Sequence, residues 1–106
     1  MNDHTARLLK RQLVSLDEYE QGIISIKRML SGLNGARNAM EETLPDAYYH
    51  IYSRCEGMLD MLVYDSETRG EEFVKEHAQE YVDKLRNSIQ ALLAENGYAE
   101  EDIELS

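Results

Sequence analysis

Few residues in this chain have the types and spacing that chemistry requires. Glu72, Glu76, Glu80 and Asp83 fall on one face of a helix-forming stretch, which could serve either an oxygen-ligand metal site or a surface that attracts cations. A di-iron type of site would need a Glu-x-x-His pair, and the residue three before His77 is Val74. Nor do Glu41, Glu42, Glu56 and Asp60 complete a matching carboxylate set. His4, His50 and His77 stand apart from one another in sequence and from other ligand types at metal spacing.

Nucleophilic chemistry fares no better. The single Cys55 lies among Ile51, Met58 and Leu59, where a thiol acts as a small hydrophobe. It has no intrachain disulfide partner, which suits a reducing compartment. Gly32 and Gly35 lack the third glycine and the lysine of a phosphate-binding loop. Lys10, Arg11, Lys27 and Arg28 are too dispersed to define a recognition helix for DNA. The reading is therefore no catalytic residue, no cofactor and no metal, and two surfaces for partners.

The first surface is the acidic row itself. Like charges four apart on a helix destabilise it by about 0.2–0.5 kcal/mol per pair, and Lys75 and Lys84 are the local offsets. The second is Tyr49, Ser53, Gly57, Asp60, Met61 and Tyr64, on the side of the central helix away from its apolar stripe. A mid-helix glycine beside Tyr and Met marks a place where another backbone can approach.

Charge sharpens the choice of partner. Eleven basic and 21 acidic residues give a net charge of −10, and the two halves differ: residues 1–50 carry −1 and residues 51–106 carry −9. That field repels nucleic acid and anionic membranes and attracts a basic protein surface. Charges four residues apart rise by about 6 Å, against about 3.4 Å per charge on a DNA strand. Mimicry of nucleic acid would need more carboxylates, from Glu100, Glu101, Asp102 and Glu104 or from a second subunit. No apolar run of bilayer-spanning length occurs, and the first residues lack the apolar centre and cleavage site of a secretory signal, so the expected location is the cytoplasm.

The elements that must position these residues are helices. With one proline and six glycines in 106 residues, no stretch favours the strand period over the helical one, and the expected fold is all-α, one domain over residues 1–106. The expected architecture is an antiparallel bundle of three long helices, with residues 1–15 contributing a short fourth at the N-terminus around Leu9 and Leu13.

Ser15 to Glu18 read as a capping box that opens a long helix. Its apolar positions, Leu16, Tyr19, Ile23, Ile26, Leu30, Leu33, Met40 and Leu44, stay in phase, while Ser31 to Gly35 argue for a kink or a break there. Thr43 with Asp46 and Thr68 with Glu71 read as further capping boxes on either side of Pro45 and of the polar connector 65–70. The central helix runs to about Tyr64, with Leu44, Tyr48, Ile51, Cys55, Met58 and Leu62 as its core stripe. The last helix, to about Glu95, buries Val74, Ala78, Tyr81, Leu85, Ile89 and Leu92. Asn96-Gly97 ends it, and residues 98–106 read as a frayed acidic tail.

Wide stripes on long helices predict a homodimer. The expected function is a non-catalytic, acidic, helical binding or regulatory protein, in its sharpest form an inhibitor of a basic, nucleic-acid-binding or nuclease-type partner. One alternative is a structural module that self-associates through the central helix. A second is a carboxylate-metal-dependent enzyme.

Overall fold

The computed structural model describes residues 1–98. It is all-helical: α1 (Asp3–Glu20), α2 (Ile26–Ala39), α3 (Asp46–Thr68) and α4 (Glu71–Glu95). Four helices of 18, 14, 23 and 25 residues replace the expected three long ones and short N-terminal segment. α1 packs mainly on α2 and α3 mainly on α4, while α4 returns to α1 and α2 touches α3. α2 runs antiparallel to α1, with His4 near Ala39 and Gln12 near Leu33, and α4 also runs antiparallel to α1, with Gln79 at Glu20 and Tyr98, just past its end, at Asp3. Tyr52 links α3 to Asn34 of α2. Leu9, Leu13, Leu16, Met29, Leu33, Leu59, Leu85, Ile89 and Leu93 lie at the centre of the shared core.

The first break in the helices falls at residues 21–25 and not at 31–35. Gly22 takes a left-handed φ of 77°. The Ile23 amide then reaches back to Glu18 O at 2.9 Å and the Gly22 amide to Tyr19 O at 3.0 Å, closing α1 with a Schellman motif. Ile23, which the periodicity placed in the core, is 61% exposed as a result. α2 passes unbroken through Gly32 and Gly35. Packing on α1 overrides their low helix propensity, because Gly32 sits directly over Ser15.

Ser15 is thus inside α1 and caps nothing. The caps in use are Asn2, whose side chain accepts from the Thr5 amide at 2.8 Å, and Ser25, which accepts from Arg28 at 3.1 Å. Neither later capping box forms. α3 starts after Pro45 without a side-chain cap, and the Leu44 amide donates instead to the Tyr49 hydroxyl at 3.0 Å. α3 also runs past Tyr64 to Thr68, so that Arg69 and Gly70, the latter at φ 88°, make the whole turn into α4.

On α3 the buried stripe is rotated from the expected one. Tyr52 and Leu59 are buried where Ile51 and Met58 were expected, and the latter two are 38% and 37% exposed. On α4, Val82 is buried and Tyr81 only half-buried. Positions 51 and 52, 58 and 59, and 81 and 82 are all apolar or aromatic, so either phase satisfied the helical period. The partner helices chose between them.

α4 ends as expected. Gly97 has φ 81°, and the Tyr98 amide returns to Leu93 O at 2.8 Å. Tyr98 itself is docked, its hydroxyl donating to Asp3 Oδ1 at 2.6 Å on the first turn of α1. Residues 99–106, with the remaining tail carboxylates, lie outside the described residues.

Candidate functional site

The rotation of α3 creates the most distinctive surface. Met58, Met61, Leu62 and Asp65 from α3 and Glu76, His77, Glu80 and Tyr81 from α4 line a groove of about 410 Å³. The groove's apolar side comes from the outward methionines, Met61 being 62% exposed. Two members of the acidic row, Glu76 and Glu80, stand along it with Asp65. Lys84 reaches back to Glu80 at 3.4 Å, with its ammonium 5.7 Å from the Tyr81 ring centre. At the turn end, His77 stacks on Phe73 at 4.0 Å, and Arg69 lies over the Phe73 ring at 4.9 Å.

The four acidic residues do not act as one set. Glu72 is exposed but does not line the groove. Asp83 turns toward α1, where it accepts from Gln79 at 2.9 Å and pairs with Arg86 at 3.4 Å. The Arg86 guanidinium also contacts Glu20 and lies 3.0 Å from Asp17, so three carboxylates share one cation that ties α4 to the end of α1. Among the described residues, no three His, Cys, Asp or Glu side chains come together as ligands for a metal ion.

The second predicted surface divides in the same way. Tyr49 is half-buried: its hydroxyl holds the Leu44 amide, its ring meets Tyr48 edge-on, and Arg37 lies 5.6 Å from the ring centre. Ser53, Gly57, Asp60, Met61 and Tyr64 are exposed, Tyr64 by 76%. Among the described residues no other element covers them, and a Cβ at Gly57 would meet nothing within 4 Å.

Sequence reasoning missed Met58, Tyr81 and Asp65 in the groove, because the first two had been assigned to the core. It also missed a buried polar network. Gln12 is fully buried, donates to Leu33 O at 3.0 Å and accepts from the Tyr48 hydroxyl at 2.9 Å. Tyr52 stacks on Tyr48 and donates to Asn34, under the Arg37 guanidinium at 5.3 Å. The signal was present: a Gln between Leu9, Leu13 and Leu16 on an apolar stripe must find partners, and the Leu33 carbonyl of α2 and the Tyr48 hydroxyl of α3 supply them.

Burial sets the electrostatics of this interior. It pushes the Tyr48 hydroxyl up to about 12 and raises Tyr52 as well. The Cys55 thiol is 1% exposed, and burial raises its pKa above the ordinary value, which disfavours the reactive thiolate. A further groove of about 540 Å³ runs between α1 and α2, where Arg7 and Arg11 flank a floor of Gly32, Gly35, Ala36 and Ala39. Lys10 beside them is buried, whereas Arg11, Lys27 and Arg28 are exposed.

Compared with protein-family models, with curated proteins and with solved structures, the chain finds no match. Among the described residues, no helix is long and apolar enough to cross a membrane.

Proposed function

We propose that this chain is a non-catalytic helical binding protein that docks a basic protein surface on the α3–α4 groove. The observation that carries the reading is the juxtaposition of exposed Met58 and Met61 with Glu76 and Glu80 in one groove. An apolar centre with a charged rim is the usual anatomy of a protein interface, and adaptable methionines suit a contact surface. The rim carries the sign of the whole C-terminal half, so a cationic partner is drawn from a distance and then held by apolar contact. A nucleic-acid-binding or nuclease-type partner fits this description, since its own binding surface is basic, and the protein then acts as its inhibitor from the cytoplasm.

The test is capture of partners from host lysate on the tagged chain, eluted in rising salt. The wild type should release a basic protein over a moderate salt range. Changing Glu72, Glu76 and Glu80 together to Gln should weaken capture and flatten its salt dependence, and Met58→Ser should weaken it with the salt dependence retained. Unaltered binding and salt dependence in the Gln variant would refute the proposal.

A further inference from the structure

The outer face of α3 is symmetric about Gly57. Arg54 and Asp60 lie three residues to either side, Ser53 and Met61 four, and His50 and Tyr64 seven, and all of them are exposed. Among the described residues nothing calls for a glycine here, since a Cβ would meet open space. Among the described residues neither Arg54 nor Asp60 has an ion-pair partner. In a half-chain with far more acids than bases, an unpaired cation and an unpaired anion thus stand equidistant from the one residue that permits close backbone approach.

We propose that α3 packs against α3 of a second copy, antiparallel, with the two-fold axis passing at Gly57. In a self-complementary contact of this kind, each residue before the axis lies level with its mirror position beyond it on the other chain. Arg54 of each copy is then level with Asp60 of the other, giving two reciprocal ion pairs. Ser53 leaves room for Met61, His50 meets the ring of Tyr64, and the two glycines let the helices approach at the short end of the usual 8–10 Å range, about 8 Å. A parallel pairing would bring each residue level with itself, setting Arg54 against Arg54 and Asp60 against Asp60. Charge therefore selects the antiparallel arrangement.

Sedimentation equilibrium of the full chain over a range of concentrations tests this. The wild type should approach twice the 12.2 kDa chain mass. Arg54→Glu and Asp60→Arg, each alone, should raise the dissociation constant about tenfold or more, since each replaces two attractions by two repulsions. The variant carrying both changes should regain the wild-type constant. Gly57→Leu should also weaken the dimer, and because leucine is the better helix former, its circular dichroism should show an intact helix. A wild type that stays monomeric at the highest attainable concentration overturns the proposal. So does a dimer indifferent to these substitutions, or one lost in both single variants and not restored in the double.

Discussion

The Ser15 hydroxyl occupies the space where a side chain on Gly32 would begin: a Cβ built there would lie 2.6 Å from Ser15 Oγ. This contact sets how closely α2 approaches α1, and it makes two glycines on one helix respond differently to the same substitution. Gly35→Ala meets nothing within 4 Å and should stabilise the fold by about 1 kcal/mol from helix propensity alone. Gly32→Ala must first displace the serine hydroxyl, so its gain should vanish or reverse. In a Ser15→Ala background the obstruction is gone and Gly32→Ala should recover most of the 1 kcal/mol or so. Urea unfolding of the double-mutant cycle measures the coupling, and simple additivity would mean that the contact is not made in solution.

Tyr48→Phe removes the donor to a fully buried Gln12 oxygen. Leaving that acceptor unpaired should cost about 1–3 kcal/mol. Tyr64→Phe, on the exposed face, should change stability by less than about 0.5 kcal/mol. Chemical denaturation of the two variants makes the comparison, and equal effects would contradict the network.

Among the described residues Arg86 is the cation that pairs with Asp17, Glu20 and Asp83. Replacing it with Met should destabilise the protein by about 1–2 kcal/mol, through three carboxylates left to repel one another at a partly buried junction. Lys84→Met, which breaks an exposed pair with Glu80, should cost less than about 0.5 kcal/mol. Added salt should shrink the Arg86 effect by screening that repulsion. Thermal unfolding at low and high salt reads both differences.

Alkaline pH should unfold the chain through its buried tyrosines. Burial holds Tyr48 up at about 12 against the ordinary 10.0, and Tyr52 is raised too. Between those pH values the unfolded state gives up protons that the folded state keeps, so stability is intact below about 10 and is lost as pH rises toward 12. Tyrosinate absorbance recorded with circular dichroism should show these two rings ionising only as helix is lost. Ionisation of all seven tyrosines near their ordinary value, with the helices intact, would rule this out.

Cys55 reports the same opening from within the core. With the thiol buried, its labelling by a disulfide reagent should be slow in the native state and should track unfolding free energy as urea rises. Rapid labelling without denaturant would show that α3 lifts from the core on its own.

Legible in the sequence alone were the helical class, the stop at Asn96-Gly97, the burial of Cys55 and the position of Ser53, Gly57, Asp60, Met61 and Tyr64 off the core stripe of α3, whereas that no neighbouring helix covers them was not. Each legible feature rests on local chemistry or on a period that tolerates one reading. Tertiary structure decided what the period left open. Tyr19, Ile23 and Ile26 carry an apolar rhythm across Gly22, yet the chain turns there, because a left-handed glycine closes α1 and α2 can then lie back on it. Gly32, which looked like a break, is where α2 packs against Ser15 of α1. Adjacent apolar residues at 51 and 52, 58 and 59, and 81 and 82 gave two valid faces, and only the positions of the neighbouring helices selected Tyr52, Leu59 and Val82 for the core. That choice turned Met58 outward and left Tyr81 at the rim beside Glu76 and Glu80, and so formed a groove that no spacing rule on a single helix describes.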